Sequence, residues 1–589
     1  MATKIDPVDI AVISARLLSI SREMGETMLR TSRSPIFSEA RDFTTAIFDH
    51  NTELVAQTIY IPDIAAATPF AARAIAERFA DDIHEGDLFV LNDPYRGNNH
   101  PPDLNVMKPL FWKGELRYWL LSKGHHADMG GGGVVGYNPE AHDAWEDALR
   151  IPCLRIADKG VMREDVLDFI LLNIRARELV EGDIQCQIGA VNLGERRLLS
   201  LLDQYGSETL SAATTEILDA TERRVRADIA KIPDGEYSAE RAIDHDGINF
   251  EVSPVVRLCL KICGDSVIFD YTGSDPQSIG YINSTLPNTS AMSQLALFAT
   301  HAISNDIQFN DGAVRPLLIV APEGTIVNSR EPAPTSCCTL CVGEAMIEAI
   351  WQALAQVIPE QVSAMWGRWC APATMGMNPA NNRFFADIHF MSKGGGGAVL
   401  GYDGWDHVGT PVTLGGLRAP DPELHELVTP YTLLEYEIEP DSAGAGKWRG
   451  GFGVRYAFEV DADNIACANF GSGARDFTAP LGIEGGLSAP PHRLDLLHDN
   501  GSNDEMDGNR MYKFNSGDKV TIVSSGGGGY GNPLQRDVNA VLKDVRNGLV
   551  SIQNAREQYG VVVINDGTAL EFLIDESETK HLRDRAIIS

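Results

Sequence analysis

The stretch NNHPPDLNVMKPLFWKGELRYWLLSKGHHAD, residues 98–128, decides how the first part of this chain folds. Two short apolar runs, 106–112 and 116–121, flank Lys113-Gly114, a pair that suits the tight turn of an antiparallel hairpin. With a two-residue turn, facing residues sum to 227, which sets Asp103 opposite Gly124 and His125 opposite Pro102. Neighbouring strands lie about 4.8 Å apart, so Asp103 and His125 are expected in one neighbourhood. His100 precedes two prolines, which exclude α backbone there and let its imidazole swing back toward Asp103. Imidazole and carboxylate together are ligands for zinc, manganese or iron, with a position left open for water or substrate. The plainer reading is a polar turn with no ligand. Two histidines and an aspartate converging on one hairpin end favour the metal.

Outward from the hairpin, the pattern alternates between helix and strand. Asp6-Pro7 is a helix start, and Ile10, Ile13, Leu17, Ile20 and Met24 recur at helical spacing behind it, as a stripe suited to core burial rather than to a subunit contact. A second helix is expected from Thr68-Pro69 toward Asp82, and a short strand at 88–91. Residues 162–235 are mostly helical and end at the turn Pro233-Asp234-Gly235. Strand-like runs at 255–262 and 266–273 follow, then helices near 290–304 and 343–357. Beyond Pro422 the sequence is rich in glycine, turns and strands, and it closes with two helices, the first stopped by Asn547-Gly548 and the second capped by Ser551. The expected fold class is α+β, in three regions: 1–235 with the metal site, a mixed 236–421, and a Gly-rich 422–589 with C-terminal helices.

Composition narrows the function. At 589 residues the chain is expected to hold about two to four folded regions. A net charge of -33 with no basic run argues against nucleic acid. No stretch nears the roughly 18 apolar residues of a membrane span, and MATKIDPVDI lacks the apolar segment of a signal peptide, so a cytoplasmic protein is expected. Nine scattered cysteines are expected to be free thiols. Cys338 and Cys341 have Cys-x-x-Cys spacing beside Cys337, yet nothing completes a zinc site; Cys259 and Cys263 are read as core packing.

Other motifs carry less. The glycine runs 130–133, 394–397 and 526–529 suit the approach of a substrate to the backbone, or mobile loops. The segment Gly444-Ala445-Gly446-Lys447 superficially resembles a phosphate loop, but Asp441 stands where its first glycine belongs and Trp448 replaces the Ser/Thr after the lysine. No ATP site is expected on this chain. There is no Gly-x-Ser-x-Gly elbow, and Cys337, Cys338 and Cys370 have no assignable base, so nucleophilic catalysis is disfavoured.

Nearly end to end, the chain resembles the hydantoinase B family, which includes the metal-bearing subunits of ATP-dependent hydantoinases, oxoprolinases, caprolactamase, and acetone and acetophenone carboxylases. The likeness lies in SRSPIFSEARDFTTAIFDH (32–50), GDLFVLNDPYRGNNHPPDLNVMKP (86–109), KGHHADMGG (123–131), EDALRIP (146–152), EDVLDFILLNIRAR (164–177), GDIQCQIGAVNLGERRL (182–198), DYTGSDPQSIGYIN (270–283), DSAGAGKWRGG (441–451) and GGGGYGNPL (526–534), and in their order. The resemblance adds Asp42, which spacing does not predict, to His100, Asp103 and His125 as a four-ligand set for zinc or manganese. Neighbours on a strand point to opposite faces, so only one of His125 and His126 serves; His125 is chosen, with His126 and Asp128 as supporting or substrate-contacting groups.

It further implies that ATP with magnesium is bound by a separate hydantoinase-A-type subunit, which phosphorylates a carbonyl oxygen or makes carboxyphosphate from bicarbonate. Two reactions compete: opening of a cyclic amide such as a lactam, hydantoin or oxoproline, and carboxylation of a ketone. The segment GYNPEAHDAWEDALRIP (136–152) is most similar to the lactam-opening branch. A third reading, a scaffold subunit with a vestigial site, is disfavoured by the intact ligand set.

Overall fold

Asp6 accepts a hydrogen bond from the Val8 amide and Pro7 occupies the first turn, so the opening helix spans Pro7–Thr31 as its start signals predict. The computed structural model describes residues 5–565 and 572–588. The buried stripe of that helix, Ile13, Leu17, Ile20, Met24 and Met28, belongs to the largest hydrophobic cluster, which draws in residues from Ile13 to Phe470. The stripe is therefore core.

The helix packs on a seven-stranded antiparallel sheet made of β1 (Phe43–Asp49), β2 (Leu54–Ile59), β3 (Leu88–Leu91), β4 (Asp103–Trp112), β5 (Glu115–His125), β6 (Leu154–Asp158) and β7 (Val161–Met162). Its order is β2-β1-β5-β4-β3-β6-β7, with the expected hairpin at its centre. Every residue of β1 is buried, because both faces are covered: Phe43 and Ile47 join the main cluster, while Ala46 and Phe48 face a second one with Ala71, Ala72 and Ile75 of the helix Thr68–Arg78. Helices Arg177–Tyr205 and Ser207–Ile229 continue the helical cover.

Positive φ at Lys113 (53°) and Gly114 (81°) gives the turn the twist that two-residue hairpins favour. The register, however, departs from the sequence expectation. Phe111 and Leu116 face each other as predicted, but an irregularity next to Leu110 pairs it with Tyr118, leaving Arg117 as an extra residue. Asp103 consequently lies opposite His125, not Gly124. The strands also run further than the apolar runs, to Asp103 and His125 themselves.

A four-stranded sheet over 235–320 packs against helices Leu286–Phe298 and Glu344–Leu354, and four- and five-stranded sheets fill 370–523, so the chain is α+β. In the strand Val255–Cys263 the even positions are buried, so Cys259 is half-buried and Cys263 exposed; their expected core packing is corrected by the strand period. Helices Val538–Arg546 and Ile552–Glu557 form as predicted, with Ser551 capping the second. They do not close the chain: strands Val563–Asn565 and Phe572–Ile574 and the helix Glu576–Ile588 follow.

The glycine runs knit together. Gly444 donates to Gly527, Gly527 to Gly451, Gly451 to Gly396, and Ala398 to Gly528, at 2.8–3.0 Å. Backbones this close leave no room for a Cβ, as Gly527 against the Gly396 carbonyl illustrates. Among the described residues no helix is long and apolar enough to cross a membrane.

Candidate metal centre

Strand pairing builds the site. Asp103 and His125 are directly opposite on β4 and β5, so their side chains share a face, and Asp42 immediately precedes β1, which flanks β5 on its other side. The His125 amide donates to the Asp42 carbonyl at 3.0 Å, which brings Asp42 into the same row. His100 arrives from the loop before β4, held by Asn98, whose Nδ2 donates to the carbonyls of Asn92, His100 and Asp103.

Ligand atoms of His100, Asp103 and His125 all lie within 4.8 Å of one another, and the three residues are buried. His100 Nε2 is 3.0 Å from Asp103 Oδ1, and His125 Nδ1 is 3.6 Å from the same oxygen. His100 Nδ1 sits 3.0 Å from the Ser336 carbonyl oxygen, which only accepts, so Nδ1 carries a hydrogen. A neutral His100 then presents an Nε2 lone pair to a carboxylate lone pair, an arrangement that calls for a cation or a proton between them. Burial works against a charged His100, but Asp103 outweighs it and raises the group. Burial likewise opposes a charged Asp103, yet His100 and Lys123 hold its carboxyl well below the usual range.

One proton cannot satisfy the rest. Asp103 Oδ2, His125 Nε2 and Asp63 Oδ1 are buried without a hydrogen-bond partner, and each such group costs about 1–3 kcal/mol. His125 is pushed down to about 3 by burial and then by His100, so it stays neutral with a lone pair to give. Burial, then Asp103 and Asp63, push Asp42 well above its ordinary value. Burial and then Asp103 bring Asp63 to about 7. Carboxylates that repel one another, beside two imidazoles, are a donor set suited to a divalent transition metal.

Asp42, Asp63, His100, His125 and Tyr137 line one small cavity of about 30 Å³, walled otherwise by Thr339, Thr413 and apolar groups such as Ile61, Leu340 and Val412. Sequence reasoning missed Asp63, Tyr137, Lys123 and Asp147. Lys123 was findable: it stands two residues before His125 on the same strand face, and its Nζ lies 3.6 Å from Asp103 Oδ2. Asp147 accepts from the Thr335 and Ser336 amides at 2.7 and 2.9 Å, fixing the loop whose carbonyl orients His100. The Tyr137 ring stacks on Phe470, with centroids 4.1 Å apart, and on His125. No sequence signal marked Asp63, which reaches the site from the short helix Pro62–Ala66.

His126 faces away and meets Gln187 Oε1 at 3.0 Å. Asp128 is engaged by Arg175 and by the amides of Gly130 and Ala176, where it anchors the start of a long helix. In the 130–133 run Gly131 has φ +70, and a Cβ there would stand 2.6 Å from the Asp147 carbonyl, so the backbones approach each other closely at this point.

Two other groups have metal-like spacing among the described residues, and neither contains a cysteine. In the first, Asp387, His389 and His425, both nitrogens of His389 already have partners in Tyr456 and Thr374. The second, His84, Asp87 and Asp158, is partly exposed.

The sheet sets Asp103 and His125 at the ends of adjacent strands with His100 closing from a loop, a buried group with the spacing of metal ligands, and Asp42 lies outside that group but lines the same small cavity. The chain belongs to the Hydantoinase B/oxoprolinase family, whose model matches residues 6–533. It is 37% identical over 583 residues to caprolactamase subunit beta of Pseudomonas jessenii, covering 98% of each chain. The crystal structure of the ATP-dependent caprolactamase from that organism superposes with a TM-score of 0.91 at 36% identity, over 99% of this chain and 100% of that one. Acetone carboxylase in its nucleotide-free form shares the fold, with a TM-score of 0.91 at 20% identity over 99% of this chain and 83% of that one.

Proposed function

We propose that this chain is the metal-bearing subunit of a cytoplasmic, ATP-dependent heteromeric enzyme that opens a cyclic amide, with zinc or manganese held by Asp42, His100, Asp103 and His125. The carrying observation is the meeting of His100 Nε2 and Asp103 Oδ1 at 3.0 Å beside the unpartnered His125 Nε2 and Asp63 Oδ1. Full-length likeness to a caprolactamase subunit supports ring opening over carboxylation; the acetone carboxylase likeness speaks for the fold alone.

When bound, such a metal polarises a carbonyl oxygen and lowers the pKa of a coordinated water to about 7. This chain's residues do the rest. The Ser336 carbonyl locks the His100 tautomer, and Lys123 keeps Asp103 anionic. Ile61, Leu340 and Val412 limit water around the reacting amide, and Asp63 Oδ1 is placed to exchange a proton with it. Activation by ATP with magnesium is assigned to a hydantoinase-A-type partner, since the glycine-rich amides here are committed to neighbouring carbonyls.

The test uses the complex with its partner, ATP, magnesium, metal and carbon-13 bicarbonate, on a panel of lactams, hydantoins and ketones. An opened amide without label is expected. Label in a new carboxylate derived from a ketone would replace this reading with the carboxylase one.

A further inference from the structure

His425, on the short helix Pro422–Val428, is 6% exposed, and its Nε2 meets Asp387 Oδ2 at 2.8 Å on the strand Arg383–Ile388. Stacking on Tyr431 and an edge contact to His389 fix the ring. Among the described residues nothing hydrogen-bonds its other nitrogen, Nδ1, yet that atom is not sealed in the core as the orphaned Tyr431 hydroxyl is. Nδ1 therefore opens onto the cavity of about 200 Å³ that His425 and Asp387 both line. Arg33 and Glu39 line the same cavity, with Phe390, Pro420 and Leu424 as apolar wall. The Arg33 amide donates to Asp183 at 2.6 Å, and its stem lies so close to Gly182 that a Cβ there would run into Arg33 Cγ. The stem is thus placed, but among the described residues its guanidinium meets no carboxylate and the Glu39 carboxylate meets no cation. Burial works against a charged His425, but Asp387 outweighs it and raises the group, so these two charges cancel. Arg33 and Glu39 remain as the two uncompensated charges of the cavity.

We propose that this cavity, which shares no lining residue with the metal cavity, is a second ligand site, for an amino acid whose carboxylate and ammonium are joined by a short apolar chain. The carboxylate accepts from His425 Nδ1 and Arg33, the ammonium donates to Glu39, and the methylenes lie along Phe390, Pro420 and Leu424. An imidazolium already held through Nε2 presents its Nδ1–H in a fixed direction, and a charged acceptor makes that bond a strong one. A molecule with one charge leaves either Arg33 or Glu39 unanswered, and a simple anion also faces two carboxylates. A neutral lactam answers neither charge. The site thus prefers an opened amino acid to a closed ring. Opening of a cyclic amide releases such an amino acid, so the cavity fits a holding place for product. That link rests on the cyclic-amide reading; binding here requires neither metal, ATP nor partner.

The experiment titrates the full chain with 4-aminobutanoate, 5-aminopentanoate, 6-aminohexanoate, hexanoate, hexylamine and ε-caprolactam by calorimetry or ligand-observed NMR. A His100→Ala background keeps binding at the metal out of the signal. At least one of the amino acids should bind more tightly than hexanoate, hexylamine and caprolactam. His425→Gln should weaken it by about tenfold or more, the worth of a charged hydrogen bond. Glu39→Gln should cost the amino acid about three- to fivefold, as expected of a partly exposed ion pair, and leave hexanoate unchanged. Arg33→Gln should weaken the amino acid and hexanoate alike and leave hexylamine unchanged. Arg33 and Glu39 have no side-chain partner to lose, so these two variants guard against a folding defect in the first. Absence of saturable binding by every amino acid, hexanoate binding as tightly as the best of them, or indifference to both Arg33→Gln and Glu39→Gln would overturn the proposal. Metal content and lactam turnover, measured separately, would still decide the metal-centre reading.

Discussion

The His125 amide donates to the Asp42 carbonyl across 3.0 Å, while Asp103 faces His125 from the opposite strand. Three residues far apart in sequence thereby form a single row across β1, β5 and β4, with His100 closing over it. The first consequences concern the metal.

Replacing His100, Asp103 or His125 by Ala should strip the metal while leaving the fold intact. Loss of a group that merely supports a ligand costs about 10–100-fold in metal affinity, and loss of a ligand should exceed that. Elemental analysis of dialysed protein beside circular dichroism reads this; full metal occupancy in any of the three would remove that residue from the site. Asp42→Asn should also lose metal, whereas Asp63→Asn should retain it and lose turnover.

Asp147→Asn should act at a distance. Its carboxylate holds the Thr335 and Ser336 amides, and Ser336 orients His100. Metal affinity should fall about 10–100-fold, with secondary structure unchanged, as competition with a chromogenic chelator would show.

Gly124→Ala should destabilise. A Cβ there would run into the Phe37 ring, which is fully buried, and such overpacking typically costs about 1–3 kcal/mol. The urea midpoint should drop; an unchanged midpoint would mean that the ring moves aside freely.

The His425–Asp387 pair makes stability depend on pH. Burial pushes His425 down, but Asp387 at 2.8 Å outweighs it and the net shift is upward. Its contribution is fully present below the unfolded value of about 6.5 and is lost as pH rises through the folded one. Burial raises Asp387, yet His425 lowers it overall, so that part is lost only as pH falls below about 4. The stability gap between wild type and His425→Gln should therefore be widest near pH 5–6 and shrink toward pH 9, a range about the unfolded histidine value. A gap constant over that range would show that the pair contributes packing alone.

The isolated chain should not bind ATP measurably. The amides of Gly444, Gly450 and Gly451 donate to backbone carbonyls, and Lys447 lies over the Trp448 ring. Micromolar binding by calorimetry would return the glycine-rich region to consideration as a nucleotide site.

Much of the site was legible in residues 98–128. The turn at Lys113-Gly114, the two polar segments at the hairpin ends and the helix begun by Asp6-Pro7 follow from local propensity and period, which short sequence windows carry. Local sequence did not carry the register. Read without an extra residue, the hairpin sets Asp103 against Gly124, which would put its carboxylate and the His125 imidazole on opposite faces. The extra residue at Arg117 shifts the pairing by one and brings both to one face. That choice depends on pairing with β1 and on burying both faces of the sheet, which are properties of distant segments. For the same reason Asp42 and Asp63 could be placed in the cavity only by the tertiary structure: one comes from a neighbouring strand and the other from a docked helix. No spacing within a segment records which polar atoms will be left facing each other once the core has closed around them.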